Sequence, residues 1–213
     1  MSLQIHSFTF NPFSENTYVL YDESGECVII DPGCYHPEEK KELSDFIAEK
    51  KLKAVRLLNT HGHIDHVMGN KYVHDTFGLF PEIHVLDIPL LTSAPATGLK
   101  WGIPTEPSPE PSVFLKEDEL VTFGNTKLSV LFTPGHSPGS ICFLCEKEKI
   151  IISGDVLFEG SIGRTDLPGG NYEVLMQSIH EKLLKLDDDI RVFPGHGAST
   201  TIGMERKGNP FLQ

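Results

Sequence analysis

Four side chains of metal-binding types lie close together in the first third of the sequence. The stretch Asn59–His66, NTHGHIDH, contains His61, His63, Asp65 and His66. An apolar run precedes this stretch and a helical pattern follows it, so it occupies the turn where a strand ends and a helix begins. Sites in layered α/β folds are usually built at such turns. Imidazole with a little carboxylate suits zinc and related transition metals rather than calcium or magnesium.

The spacing within this stretch indicates two metal ions. His61 and His63 are two residues apart, so they cannot share a helical face, but an extended turn can direct both at one ion. Asp65 and His66 lie one step further along and can hold a second ion beside the first. A surface loop that is merely rich in histidine is the alternative, and four candidate ligands within six residues disfavour it.

Three later turns share one design, in which an apolar strand ends at a residue of a metal-ligand type. His136, Asp155 and His196 each follow such a strand, and glycines beside them allow tight turns. Each is weak evidence alone, because Gly-His and Gly-Asp are common in turns. Together with the first cluster they supply seven candidate ligands, all at strand ends: His61, His63, Asp65, His66, His136, Asp155 and His196.

Composition excludes several classes of protein. The chain has 213 residues, 39% of them hydrophobic and 23% charged, as in ordinary globular proteins. Its net charge of −12 argues against a nucleic-acid partner, which needs a basic face, but allows a small anionic substrate. No apolar run approaches membrane-spanning length and the first residues resemble no targeting segment. We therefore expect a cytoplasmic protein with no membrane partner, of undetermined oligomeric state.

The remaining patterns predict the elements that position these turns. In the first half, strands and helices are predicted over 3–8, 17–21, 27–30, 37–51, 54–58, 67–77 and 82–86. The second half repeats this order in outline, over 120–123, 127–132, 140–144, 150–153, 172–186 and 191–193. Strands followed by a helix, twice over, predict two sheets packed face to face with helices outside. We expect an α/β protein, a four-layer αββα sandwich of two β-rich halves, forming one domain over residues 1–213.

Residues 88–113 interrupt this order. They carry six of the 15 prolines and the single tryptophan, Trp101. This composition predicts an ordered loop without regular structure, either a surface connection or a flap over the site.

The motifs resemble those of a known family. The series His61-x-His63-x-Asp65-His66, His136, Asp155 and His196 is similar to the metal-binding series of the metallo-β-lactamase fold. Within that fold the chain resembles the glyoxalase II (hydroxyacylglutathione hydrolase) branch, in a short form without its C-terminal helical domain. This closer resemblance rests on four segments, TPGHSPG at 133–139, SGDVLF at 153–158, GRTD at 163–166 and the ending from 199 to 211. The αββα sandwich is also that family's fold.

The resemblance implies a ligand set and a reaction. One ion would be held by His61, His63 and His136, and the other by Asp65, His66 and His196, with Asp155 bridging them and Asp65 and Asp155 as the catalytic carboxylates. Two Zn²⁺ ions are expected, with Fe²⁺ or a mixture of zinc, iron and manganese as the alternative. Water shared by two such ions becomes a nucleophile near neutral pH. The implied substrate is a small acyl thioester such as S-lactoylglutathione, whose thiolate leaves readily because its pKa is about 8.5.

Substrate contacts are less well defined. Glyoxalase II holds the carboxylates of glutathione with basic residues of the helical domain that this sequence does not match. Lys100, Arg206 and Lys207 are candidates to replace them, although such residues are usually solvated. Arg164 is a further candidate, but an ion pair with Asp166 that braces the loop after Asp155 is favoured over substrate contact.

Three alternatives to thioester hydrolysis remain open. A persulfide dioxygenase with a single iron has the same fold and closely similar His-x-His-x-Asp-His and Gly-Arg-Thr-Asp segments, and two histidines with a carboxylate suffice for oxygen chemistry on Fe²⁺. Lactone hydrolysis is the second alternative. The third is a metal-binding module without enzymatic activity.

Overall fold

Residues 3–213, which the computed structural model describes, contain two six-stranded sheets. The strands of the first sheet, in spatial order, are β1 Gln4–Phe10, β2 Glu15–Tyr21, β3 Glu26–Ile30, β4 Lys53–Leu58, β5 Pro81–Ile83 and β6 Val113–Phe114. Strands β1 to β3 are antiparallel, whereas β3 to β6 are parallel to one another. The carboxyl ends of β3 and β4 therefore lie side by side.

The second sheet has a comparable mixed arrangement. Its strands are β7 Leu120–Phe123, β8 Thr126–Phe132, β9 Ile141–Cys145, β10 Ile150–Gly154, β13 Arg191–Pro194 and β14 Thr200–Thr201. Their spatial order is β14-β13-β10-β9-β8-β7, and only β10 and β13 are parallel neighbours. A separate hairpin consists of β11 Leu157–Phe158 and β12 Ser161–Ile162.

Helices cover the outer faces of both sheets. They are α1 Pro37–Glu49, α2 Ile64–Val67, α3 Asn70–Phe77, α4 Ile88–Trp101, α5 Tyr172–Glu181 and α6 Ile202–Gly208. Leu43 and Ile47 of α1 pack on the first sheet, and Leu175 and Ile179 of α5 pack on the second. A third apolar cluster joins the two sheets face to face. The layers therefore run helix, sheet, sheet, helix, which confirms the predicted four-layer αββα sandwich.

Burial explains why the central strands are so apolar. Strands β9 and β10 are buried along their whole lengths, because the other sheet covers one face and helices cover the other. Strand β7, at the sheet edge, instead alternates exposed and buried residues in the sequence LVTF.

The prediction for residues 88–113 is wrong in its first half, which forms the helix α4. Pro89 lies in the first helical turn, where its missing N–H costs no hydrogen bond. Pro95 lies inside the helix and does not end it. The other four prolines follow the helix in an irregular segment that leads to β6. The number of prolines alone is a poor predictor of irregular structure, because the effect of a proline depends on its position within the helix.

Three predicted elements are shorter than expected. The helix predicted over 67–77 is two helices, α2 and α3, separated at Gly69. The strand predicted over 82–86 ends at Ile83, and the helix predicted over 172–186 ends at Glu181 and is followed by a short 3-10 turn. Element ends are set by local hydrogen bonding that apolar periodicity does not report.

Within residues 3–213, none of the helices is both long enough and apolar enough to cross a lipid bilayer.

The contact between the sheets yields a test of stability. Phe143 on β9 is fully buried in the apolar cluster between the sheets. Phe143→Ala should lower the free energy of unfolding by about 3–5 kcal/mol, because a cavity replaces a large side chain. Leu120→Ala, at a side chain that is 54% exposed, should change it by less than about 0.5 kcal/mol. Urea denaturation measures both, and equal losses in the two variants would contradict this packing.

Candidate metal centre

All seven candidate ligands lie at one edge of the sandwich, where strand ends from both sheets meet. His61 to His66 follow β4 of the first sheet, while His136, Asp155 and His196 follow β8, β10 and β13 of the second. In the second sheet β8, β10 and β13 run in one direction, because β9 is antiparallel to both β8 and β10 and β13 is parallel to β10, so their carboxyl ends lie at the same edge. Residues from the two halves therefore form one cluster, although sequence separation between His61 and His196 is large.

Three imidazoles form the first group. A nitrogen atom from each of His61, His63 and His136 lies within 4.8 Å of the other two. His63 Nδ1 is 2.8 Å from His136 Nε2, and His136 Nε2 is 3.3 Å from His61 Nε2. Three converging nitrogens are the protein ligands of many zinc sites.

A carboxylate and two imidazoles form the second group. Asp65, His66 and His196 also converge within 4.8 Å, with 3.1 Å between His196 Nε2 and Asp65 Oδ2. The distance from His66 Nε2 to the same oxygen is 3.7 Å.

Asp155 lies between the two groups. Its Oδ1 is 3.4 Å from His66 Nε2, and its Oδ2 is 3.6 Å from both His136 Nε2 and His196 Nε2. One carboxylate therefore faces nitrogens of both groups, as a bridging ligand must.

Oxygen atoms hold the outer nitrogen of four of the five imidazoles. These contacts are His61 Nδ1 with Thr60 Oγ1 at 3.0 Å, His66 Nδ1 with Asp31 Oδ2 at 3.1 Å, His136 Nδ1 with the Arg164 carbonyl at 2.8 Å, and His196 Nδ1 with the Phe13 carbonyl at 3.1 Å. A carbonyl oxygen only accepts, so the Nδ1 atoms of His136 and His196 carry the proton. The lone pair on Nε2 then points into the cluster, as in metal-ligating histidines.

Buried polar atoms without partners show that the cluster fits a metal. In the described part of the chain, four buried side-chain atoms have no hydrogen-bond partner: Glu15 Oε1, His63 Nε2, His66 Nε2 and Asp155 Oδ1. Three of the four belong to candidate ligands. Buried polar atoms are almost always partnered in folded proteins, so His66 Nε2 and Asp155 Oδ1, which face each other inside the cluster, are best explained as ligands of a cation.

Charge leads to the same conclusion. Asp31 is buried, and Asp65 and Asp155 nearly so. Among the described residues, no lysine or arginine forms an ion pair with any of these three carboxylates. Buried charges need compensation, and divalent cations supply it in the least space.

The pKa values of the histidines depend on which groups face them. Burial lowers the pKa of His63 to about 3, and burial together with His66 lowers the pKa of His61. Both rings are therefore neutral, the form that binds metal. Burial also opposes protonation of His66, but Asp155 and Asp65 outweigh it and raise its pKa. Binding of a cation would replace that proton.

A cavity of ≈ 440 Å³ opens directly above the cluster. Its floor includes His63, Asp65, Asp155 and His196. One face of α4 forms a wall, so the segment expected as a loop or flap does cover the site, but as a helix. A small substrate in this cavity would contact the candidate ligands directly.

Comparison with known proteins agrees with this geometry. A sequence profile of the metallo-β-lactamase superfamily matches residues 10–196, a range that contains all seven candidate ligands. The chain belongs to the metallo-β-lactamase superfamily. A curated relative, the hydroxyacylglutathione hydrolase GloC of Haemophilus influenzae, is 39% identical over 214 residues, with 99% of this chain and 98% of GloC covered.

Solved structures of the superfamily share the fold over nearly the whole chain. The BLEG-1 B3 metallo-β-lactamase gives a TM-score of 0.91 at 38% identity, covering 99% of this chain and all of its own. TTHA1623, solved in a di-iron-bound form, gives 0.88 at 37% identity and covers 97% of this chain and all of its own. ETHE1 from Myxococcus xanthus gives 0.79 at 25% identity, with 97% of this chain and 83% of ETHE1 covered.

Asp31 is a site residue that sequence reasoning missed in this superfamily member. Asp31 Oδ2 contacts His66 Nδ1 and accepts a hydrogen bond of 2.5 Å from the Thr60 hydroxyl. Asp31 Oδ1 accepts from the backbone N–H of Thr60 at 2.7 Å. Because Thr60 Oγ1 also contacts His61, Asp31 orients imidazoles of both groups. A signal was present, since Asp31 follows the apolar strand β3 just as Asp155 follows β10.

Asp87 was also missed, because it lies between the strand predicted over 82–86 and the loop predicted over 88–113. It is fully buried, and its carboxylate accepts from Gly62 N at 2.8 Å, Ser137 Oγ at 2.7 Å and Gly139 N at 2.5 Å. Gly62 separates His61 from His63, whereas Ser137 follows His136. One carboxylate thus joins the two turns that supply the three-histidine group.

The candidate substrate residues are mostly elsewhere. Arg164 lines the cavity, and it forms the predicted ion pair with Asp166 through two hydrogen bonds of 2.7 Å. Lys100 is exposed and does not line the cavity. Arg206 donates to the carbonyls of Leu184 and Leu186 and pairs with Asp188, and Lys207 lies 4.0 Å from that carboxylate. The structure does not bring Lys100, Arg206 or Lys207 to the site, because α4 points the first outward and the turn after α5 retains the other two.

The position of Asp87 predicts a selective effect on metal binding. Asp87→Asn should lower the affinity for the ion held by His61, His63 and His136 about 10- to 100-fold, because the two turns that supply these histidines lose their shared acceptor. The affinity for the other ion should be nearly unchanged. Elemental analysis after dialysis against increasing chelator measures this. The control is Asp75→Asn, at an exposed carboxylate on α3 that pairs with Lys71.

Ser137→Ala removes only one of the three hydrogen bonds and serves as a milder variant if Asp87→Asn folds poorly. Loss of both ions in parallel, or retention of both, would show that Asp87 does not act on one group alone.

Proposed function

We propose that this protein is a dinuclear metal hydrolase that cleaves a small acyl thioester. The observation that carries the proposal is the position of Asp155 between two separate groups of three ligand types. His61, His63 and His136 would hold one ion, and Asp65, His66 and His196 the other. Zinc is the proposed metal on donor chemistry. The di-iron form of TTHA1623 supports two ions per chain and makes iron the alternative.

The chain's own residues would fix the ligands and shield the reaction. Hydrogen bonds that the imidazoles donate to Asp31, Thr60 and two backbone carbonyls hold the rings in orientation before any substrate arrives. The apolar walls of the cavity limit competing water. When bound, two such ions lower the pKa of a shared water and stabilise negative charge on a substrate oxygen.

A thioester suits this site better than an amide or an alkyl ester. A thiolate leaves with a pKa of about 8.5, so no strong general acid has to protonate it. Besides the proposed ligands, the cavity lining contains only one ionisable side chain, Arg164, which cannot act as an acid near neutral pH. The relative GloC, a hydroxyacylglutathione hydrolase, supports S-lactoylglutathione as a first substrate to test.

Persulfide dioxygenation on a single iron is the second candidate. The similarity to ETHE1, at 25% identity over 97% of this chain, supports it. Asp155 and the second group of ligands argue for two ions, which this reaction does not require.

Metal analysis combined with activity assays distinguishes the two reactions. Freshly purified protein should contain two metal ions per chain and hydrolyse S-lactoylglutathione or acetyl thioesters without oxygen. Zinc should restore activity to the metal-free protein. Oxygen uptake with glutathione persulfide that exceeds thioester hydrolysis, is lost with iron and is not restored by zinc would overturn the proposal.

Replacement of the bridging carboxylate should have the largest effect on metal content. Asp155→Asn should lose metal from both positions, because an amide has one acceptor oxygen and no charge. Asp65→Asn is the matched control and should lose metal from one position only. Elemental analysis of both variants measures this, and full occupancy with full rate in Asp155→Asn would exclude the bridging role.

A further inference from the structure

The helix α4 presents one apolar face to the cavity. Leu90, Ala94, Thr97 and Trp101 line it and are spaced three or four residues apart, so they share one helical face. None of these four side chains carries a charge, and Leu90 and Ala94 have no hydrogen-bonding group; the polar groups of this wall are the hydroxyls of Thr97 and Ser93 and the indole N–H of Trp101. This wall favours apolar groups.

Most of the remaining lining is also apolar. Phe13, from the β1–β2 turn, and Phe158, Ile162 and Leu167, from the hairpin and the loop after it, line the cavity together with Ser161. The rings of Phe13 and Trp101 lie 5.8 Å apart between centroids, and Trp101 remains 50% exposed. The two rings join the walls, and the free surface of Trp101 is available to a ligand.

Positive charge is scarce along these walls. Apart from the proposed metal ligands, Arg164 is the one charged residue of the cavity lining, and the Nε–Nη2 edge of its guanidinium already binds Asp166. Glutathione carries two carboxylates and an ammonium group. An anionic group buried against apolar walls loses hydration without gaining a partner. Each buried methylene, in contrast, is favourable.

We infer that the preferred substrate is an uncharged thioester with an apolar acyl chain, rather than a glutathione thioester. The inference rests on the proposed thioester hydrolysis and names its substrate class. In the reaction, water adds to the acyl carbon, the C–S bond breaks, and a carboxylic acid and a thiol are released. The acyl chain lies between α4 and the Phe13 side of the cavity.

Matched substrates test this preference. Acetyl and hexanoyl groups are each attached to N-acetylcysteamine, which is uncharged, and to glutathione. The value of kcat/KM should rise about tenfold or more from acetyl to hexanoyl on N-acetylcysteamine, because four methylenes are buried. Each glutathione ester should be hydrolysed no faster than its N-acetylcysteamine counterpart. A tenfold preference for the glutathione esters, or no effect of chain length, would overturn the inference.

Two variants at the end of α4 assign the effect to the cavity wall. Trp101→Ala should lower kcat/KM for the hexanoyl ester about tenfold, mainly through KM, and change the value for the acetyl ester less than about twofold. Leu99→Ala is the matched control, because Leu99 is 73% exposed on the same helix but does not line the cavity. Equal effects on both esters would indicate a structural role for Trp101 instead.

Ligand binding can be measured without turnover, because Trp101 is the single tryptophan of the sequence. S-hexyl-N-acetylcysteamine, a thioether that cannot be hydrolysed, should shift the fluorescence of the metal-loaded protein to shorter wavelength. It should bind about tenfold or more tightly than the S-methyl compound, and at least as tightly as S-hexylglutathione.

The fluorescence assay separates failure of the inference from failure of the proposed function. If no thioester is hydrolysed but the hexyl compound binds as expected, the proposed reaction is wrong and the apolar subsite stands. If thioesters are hydrolysed but hexyl and methyl compounds bind equally, the reaction stands and the inference is wrong. Tighter binding of S-hexylglutathione by tenfold or more would also refute it.

Discussion

Buried negative charge is the constraint on which the rest of this structure depends. Asp31, Asp65 and Asp155 lie where strand ends of both sheets meet, without any lysine or arginine of the described chain paired to them. Such a cluster is costly until cations neutralise it, so metal affinity and folding stability are coupled at this edge. The imidazoles are then more than ligands, since they occupy the space between carboxylates that would otherwise repel one another.

Hydrogen bonds between the two halves keep the strand ends in register. Asn16 Nδ2 donates to the carbonyls of Pro194, at 3.1 Å, and Gly197, at 2.9 Å, and Tyr18 Oη donates to that of Pro194 at 2.6 Å. These bonds tie β2 of the first sheet to the turn that carries His196, while Asp87 ties the turn of His61 to that of His136. Neither sheet alone would place the proposed ligands, because His136 completes the group of His61 and His63, and His196 completes the group of Asp65 and His66.

The fold and the ligand cluster could be predicted because both leave a repeated pattern. Apolar strands that end at histidine or aspartate recur four times, and the order of elements indicates two similar halves. Asp31 carries the same signal and was overlooked, since an Asp-Pro-Gly turn has an ordinary explanation. Asp87 and α4 left no such pattern, because proline-rich composition obscured the helix and the carboxylate acts only on backbone and hydroxyl donors. Arg206 was misjudged for a similar reason, as its partners are main-chain carbonyls.

The helix α4 forms part of the cavity wall but supplies no candidate metal ligand. In the proposed reaction, the residues that would carry out the chemistry and the helix that would select the substrate are therefore separate segments of the chain, which meet near Asp87. Mutations along the cavity face of α4 can accumulate without disturbing the metals, so substrate preference can drift while the seven ligands stay constant. Two proteins with the same series of metal ligands can thus differ in substrate preference. Residues 88–101 are a better guide to that difference than the histidines.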